Sequence, residues 1–193
     1  VELKRGKTTW TDGDLLTIFY HSEYNQQWKL SEQTADRVGI FEYVSGTKRT
    51  DESMDVVALY PYNKDYEYDA ATSEVEATLL ATQHYNKDSY AVGENLMVAY
   101  DEDDVIQMKN VYGWLRVDLI GNGEKVRKIT VTGNNDEQLS GAVLVNAKDA
   151  TMKLSDTSDA AKSVVLECDG VELAESATSF YVSLPPQSYS KGV

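Results

Sequence analysis

Two histidines, one cysteine and a large stock of carboxylates are the residues of this 193-residue chain whose types could do chemistry. His21 and His84 lie far apart in sequence, are too few for a multi-histidine metal cage, and have no nucleophile beside them. Cys168 has no second cysteine to pair with, and it falls on the apolar alternation Val164, Leu166, Cys168, which suits packing better than reactivity. No Gly-x-Ser-x-Gly elbow occurs. Gly121-Asn122-Gly123 has Val126 where a phosphate loop needs its third glycine, and no helix follows it. The densest charge is Asp101-Glu102-Asp103-Asp104. Hard cations take oxygen ligands, but an EF-hand loop starting there would need glycine and glutamate where the chain has Ile106 and Tyr112, so the run reads as a solvated turn. Asp12-Gly13-Asp14, just after Trp10, also reads as a turn, with an ion site as the lesser alternative. With 32 acidic residues, some pair always stands at a spacing suited to glycoside hydrolysis, so that coincidence carries no weight. The expectation is a non-enzyme with no catalytic residues, no metal and no cofactor.

The remaining chemistry is aromatic. There are 13 Tyr against 3 Phe, together with Trp10, Trp28 and Trp114. Amphipathic rings stack on sugars or fill interfaces, and the loop bearing Tyr62, Tyr66 and Tyr68 is the candidate for such a role beside the alternative of ordinary packing. Eighteen Lys and Arg against 32 Asp and Glu leave a formal charge of −14, which supplies no basic face for nucleic acid. Hydrophobic residues at 41% are enough for a folded core, or a core and a smaller second one. The longest apolar runs, such as Val56 to Tyr60, fall far short of the roughly 20 residues of a membrane-spanning helix.

Alternation at period two dominates the elements that must hold these residues. From Val111 to Ile120 the odd positions Val111, Gly113, Leu115, Val117 and Leu119 are apolar or small, while Tyr112, Arg116 and Asp118 fall on the other side. Asn122-Gly123 supplies the positive φ of a tight turn before Lys125 to Thr132, which predicts a hairpin. Leu115, Val117, Leu119, Ile129 and Val131 should then be buried together. Asp169-Gly170 predicts a second hairpin between 163–168 and 171–173. Further strands are expected at 15–20, 38–44, 56–60, 77–81, 96–100, 142–145 and 180–184. The best helical competitor, 149–161, is diluted by Ser and Thr. The fold class is therefore mostly β, an antiparallel sandwich. A composition shift near 154–162 suggests residues 1–155 as one β-sandwich domain and 156–193 as the start of a second, cut short at its end.

Several blocks, in order, resemble one family. Trp10-Thr11-Asp12-Gly13-Asp14, Ala58-Leu59-Tyr60-Pro61-Tyr62, Asn95-Leu96-Met97-Val98-Ala99, Lys109 to Val117, Ile129 to Asn134, and Leu139-Ser140-Gly141 are similar to the fimbrillin-like proteins of Bacteroides-type bacteria. The tail Phe180 to Ser190 resembles the early part of that family's second domain. The likeness runs along nearly the whole chain, and its specificity lies in the succession of blocks. It implies two sandwiches of transthyretin-like topology in an exported lipoprotein precursor that becomes a pilus subunit, tip component or anchor. Family members join when proteolysis after a basic residue removes a strand and another subunit's strand fills the groove. The chain departs from the pattern in lacking the lipid-attachment segment and in stopping inside the second domain. Lys4-Arg5 and Lys48-Arg49 are basic sites that a trypsin-like protease could cut, though ordinary surface charge explains both.

The first functional reading is a non-enzymatic structural or adhesive protein at the cell surface, in the outer membrane or in a fimbrium. Its partners are other pilus subunits met through sheet edges, with a host glycan or protein as a further ligand. Nucleic acid is not a partner, and the membrane is reached only through a lipid anchor upstream. The alternative is a surface glycan-binding module of a carbohydrate-uptake system, using rings such as Trp28 and Tyr66 as platforms. A third reading, an accessory domain of a secreted hydrolase, has no residue pointing to it.

Overall fold

The computed structural model describes residues 1–4, 6–35, 37–48, 51, 54–155 and 161–193. Among the described residues there are seventeen strands and no helix. In chain order they are β1 (Glu2–Lys4), β2 (Lys7–Thr9), β3 (Leu15–Tyr20), β4 (Gln26–Ala35), β5 (Val38–Gly46), β6 (Val56–Tyr60), β7 (Tyr68–Asp69), β8 (Glu74–Leu79), β9 (Thr82–His84), β10 (Met97–Asp101), β11 (Lys109–Asn110), β12 (Gly113–Leu119), β13 (Lys125–Thr132), β14 (Gly141–Asn146), β15 (Thr151–Leu154), β16 (Ser163–Glu172) and β17 (Thr178–Leu184).

The largest sheet has six strands in the order β11-β10-β6-β3-β4-β5. Its centre, β6, reads Val-Val-Ala-Leu-Tyr and is buried throughout, the mark of a strand covered on both faces. On one face Phe19, Val57, Leu59 and Val98 meet Val75, Ala77 and Leu79 of β8 and Val143 and Val145 of β14, which belong to the four-stranded sheet β15-β14-β8-β7. β8 alternates strictly, with Val75, Ala77 and Leu79 inward and Glu76 and Thr78 outward, as one buried face requires. On the other face Leu16, Ile18, Ala58, Tyr60, Met97 and Ala99 pack under Val1, Tyr90, Trp10, Trp114 and Tyr181.

A third cluster lies between the two-stranded ribbon β12-β17 and the sheet β13-β16-β9. Phe180, Val182 and Leu184 of β17 point into it beside Leu115, Val117 and Leu119 of β12, while Tyr181 and Trp114 turn the other way onto the six-stranded sheet. The ribbon therefore serves two cores at once. Gln83 of β9 fastens it: its Nε2 donates to the Ser183 carbonyl and its Oε1 accepts from the Ser183 N–H, both at 2.9 Å, completely buried.

The mostly-β sandwich expectation and most of the strand positions hold, while the connectivity differs from expectation in two places. The segment Val111 to Thr132 is not a hairpin. β12 pairs with β17 from Gly113↔Leu184 to Leu119↔Thr178, β13 pairs with β16, and the turn at 121–123 bonds to Leu173 and Ala174 instead. Leu115, Val117, Leu119, Ile129 and Val131 do gather on one cluster, as expected, but only Val131 is buried and the other four are half-buried at its margin. Asp169-Gly170 does not reverse the chain either. β16 runs straight through it, and the pairs Lys128↔Glu167 and Val126↔Val171 leave three residues of β16 opposite one of β13, a bulge. Positive φ at Asp169 (50°) and Gly170 (83°) makes the bulge, as it would have made a turn. β16 and β17 pair with β13 and β12 and so share the third cluster with 113–132, and the suggested boundary at 155/156 borders residues 156–160, which lie outside the described residues. The helical competitor at 149–161 contains β15.

Candidate functional site

Two places combine exposure with unusual chemistry, an open sheet edge and a tyrosine-lined cavity. The edge is β5, the terminal strand of the six-stranded sheet and nine residues long. Phe41 and Tyr43 turn inward, onto Trp10 (ring centroids 4.9 Å) and Trp28 (6.1 Å). Val38, Ile40 and Val44 face solvent at 56, 49 and 49% exposure. Natural sheet edges usually carry lysine or are very short. Another long edge, β13, follows that rule with Lys125, Arg127 and Lys128 exposed, whereas the exposed face of β5 carries the β-branched apolar Val38, Ile40 and Val44 with Glu42 as its one charge. Register shifts at three points along β4-β5 twist this edge relative to the sheet. Gly46 ends β5 at φ 117°, with the Asn25 carbonyl where a Cβ would need to sit.

The cavity opens between the chain following β6 and the outer face of β8, with a volume of about 440 Å³. Tyr62 and Tyr66 come from the segment between β6 and β7, Glu76 from β8, Glu94 from the turn before β10, and Tyr112 from the step between β11 and β12. Asn63 shapes the first of these segments. Its N–H donates to Thr17 Oγ1 at 3.1 Å, and its carbonyl accepts from Asn25 Nδ2 at 2.9 Å. Glu94 is held by the Ser183 hydroxyl, which donates to its backbone carbonyl at 2.7 Å, and its carboxyl accepts from the Leu80 N–H. Burial pushes that carboxyl up to about 7 against the pull of the Leu80 bond. Burial likewise raises the Tyr66 phenol to about 12 and the Tyr112 phenol further, and the Glu94 charge adds to both shifts. The Tyr112 hydroxyl is buried with no hydrogen-bond partner among the described residues.

The residues singled out from sequence are scattered. Asp14 does end a turn, closed by its N–H to the Thr11 carbonyl at 3.1 Å, but its carboxylate is buried and accepts from the Thr11 N–H at 2.7 Å, the Tyr60 hydroxyl at 3.2 Å and the Val1 amino group. In the acidic run, Asp101 and Asp103 accept from the N–H groups of Glu102 and Val105, and Asp104 accepts from the Tyr20 hydroxyl at 2.9 Å, so these acids hold their own loop. Cys168 is buried in the third cluster, where burial raises its thiol. His21 contacts the Met54 carbonyl and the Tyr20 ring, while His84 stands exposed on β9. Of the tyrosine loop, Tyr68 packs on Phe19 at 5.5 Å, Tyr66 belongs to the first core and also lines the cavity, and Tyr62 lines the cavity beside it. Trp28 packs on the face of the six-stranded sheet opposite to Tyr66, so the two rings cannot share one ligand. Lys48 sits over the Tyr43 ring at 4.0 Å, while Arg5 and Arg49 lie outside the described residues.

Sequence reasoning passed over Glu94 and Tyr112. Tyr112 was grouped with the outward residues of the following strand, yet it precedes β12 and points into the first core. The one available signal for Glu94 was a lone acid abutting the apolar run Leu96 to Ala99.

No family model and no curated protein matches the chain. Among solved structures, one from Bacteroides ovatus, described as a "putative cell adhesion protein", is similar over 95% of this chain and 72% of its own, with a TM-score of 0.53 at 15% identity. At that identity the likeness is one of fold.

Proposed function

We propose that the chain is a non-enzymatic cell-surface adhesion protein of fimbrillin-like type, a pilus subunit, tip or anchor component that joins its neighbours by strand addition. The observation that carries this reading is the β5 edge. Its length gives an incoming strand a continuous row of backbone partners, and Val38, Ile40 and Val44 give apolar contacts on the exposed face. The fold shared with a structure described as a cell adhesion protein and the ordered blocks around Trp10, Tyr60 and Trp114 support the same assignment.

The test uses the complete gene in its own cells. Immunogold labelling should mark the outer surface or filaments, and a cytosolic label would overturn the reading. In the same background, Ile40→Lys with Val44→Lys should abolish incorporation into surface assemblies while the purified chain keeps its melting temperature. Unchanged assembly by a folded double variant would remove β5 as the joining edge.

A further inference from the structure

We propose that the cavity beside β8 binds a protonated amine on an alkyl stem, the chemistry shared by a lysine side chain and a free alkylamine. The assignment is independent of the β5 edge, which contributes nothing to the cavity wall. Four carboxylates, Asp65, Glu67, Glu76 and Glu94, line this space, and no Lys, Arg or His does so among the described residues. Among the described residues only Asp65 of these four has an ion-pair partner, Lys64 at 2.7 Å.

Acidity alone would describe most of this protein's surface. What distinguishes the cavity is Tyr112, 6% exposed, whose hydroxyl has no partner among the described residues although the residue lines the space. A buried hydroxyl left unsatisfied in the free protein is a position that a ligand can complete. An ammonium carries three donors and no acceptor, while carboxylates only accept and a phenol oxygen can accept, so one cationic head matches Glu94 and Tyr112 together. The faces of Tyr62 and Tyr66 offer cation–π contact and an apolar wall for the stem. The volume of about 440 Å³ is within the roughly 300–1,000 Å³ usual for small-ligand sites. A neutral saccharide would use the acceptors but leave the concentration of negative charge unrelieved.

The charged and titratable groups that share the lining with Glu94 are Asp65, Glu67 and Glu76, and the phenols of Tyr66 and Tyr112, which stay protonated near neutrality; the Glu94 shift itself comes from burial. Since the Glu94 carboxyl titrates at about 7, amine binding should strengthen as pH rises through neutrality, by about tenfold between about pH 6 and about pH 8 if the ionised form is required.

Calorimetric titration of the 193-residue chain tests this with N-acetyl-lysine methylamide and n-butylamine as the two arms, and N-acetyl-norleucine methylamide and methyl glucoside as neutral controls. Saturable binding of an amine at the higher pH with the expected weakening at the lower one supports the site. Preference for the first probe indicates a lysine side chain, and preference for the second a free amine. Glu94→Gln should remove the pH dependence and weaken binding by about tenfold or more, and Tyr112→Phe, which deletes one oxygen, should weaken it about fivefold without lowering the melting temperature. Absence of saturable amine binding by the folded chain, equal binding of the norleucine analogue, binding of the glucoside in preference to both amines, or undiminished affinity in folded Tyr112→Phe would overturn the proposal.

Discussion

Buried polar side chains divide in this protein into those that are satisfied and those that are not, and the difference predicts opposite outcomes of substitution. Gln83 spends its amide on the N–H and carbonyl of Ser183, so it acts as a fragment of backbone linking β9 to β17. Gln83→Leu keeps the volume but strands both Ser183 groups in an interior without water. Chemical denaturation should show a loss of about 2–4 kcal/mol, two unsatisfied groups at about 1–2 kcal/mol each. Glu94 is the reverse case, because its charge is what burial disfavours. Its folded pKa is raised to about 7 from 4.5, so below the unfolded value both states are neutral and the carboxyl costs nothing. As pH climbs from 4.5 to about 7 the unfolded chain ionises first and stability falls; above that window the penalty is constant. Glu94→Gln should therefore be more stable than the parent by about 1–3 kcal/mol at alkaline pH, with the gap closing toward about pH 4. Below the range in which the Tyr66 and Tyr112 phenols, which the Glu94 charge also shifts, lose their protons, the difference between the two unfolding curves isolates Glu94. A gap that persists at acid pH would assign the gain to packing.

At the scale of elements, what could be read in the sequence depended on whether a signal had one structural meaning or two. Val75, Ala77 and Leu79 alternate because one face is buried, and that pattern locates a strand whatever it pairs with. Asn122-Gly123 and Asp169-Gly170 report only that the backbone turns to positive φ, which a tight hairpin and a bulge both need, and the choice lies in partners distant in sequence. β4, with Gln, Lys, Ser and Glu along ten residues, has no period to detect and is a strand because β3 and β5 hold it on both sides. The cavity was hidden for a related reason, since Tyr66, Glu76, Glu94 and Tyr112 meet only once three strand connections have formed. Two glycines separate backbone strain from crowding. At Gly170 (φ 83°) a Cβ would meet nothing within 4 Å, so Gly170→Ala should cost only the left-handed conformation, about 1–2 kcal/mol. At Gly46 (φ 117°) the added Cβ would lie 2.6 Å from the Asn25 carbonyl oxygen, so Gly46→Ala should cost clearly more, and a parallel thermal melt of the two variants ranks them. The reverse ranking would mean that the end of β5 yields more easily than the bulge.

For the whole molecule, the governing feature is the ribbon β12-β17. Its two faces belong to different cores, Phe180 and Val182 on one side and Tyr181 with Trp114 on the other, and Trp114 stacks on the buried Tyr90 ring at 5.2 Å. Among the described residues each strand of the ribbon has only the other as its hydrogen-bonded neighbour strand, and β13 has only β16. Strands β12 and β13, from before residue 155, are thus completed by β17 and β16 from after it, and neither stretch buries the third cluster alone. The coupling predicts one cooperative unfolding transition for the intact chain, the behaviour of a molecule whose layers share elements. It also predicts what division would do. Residues 1–155 produced alone leave Leu115, Val117, Leu119, Ile129 and Val131 without the strands that cover them, and should bind a hydrophobic dye or aggregate. Supplying residues 156–193 as a separate polypeptide should restore the missing strands and suppress dye binding, with Trp114 fluorescence returning to that of the intact chain. If 1–155 is instead monomeric, dye-silent and as resistant to denaturant as the whole, the third core is dispensable to the first two, and the ribbon is an attachment and not a shared wall.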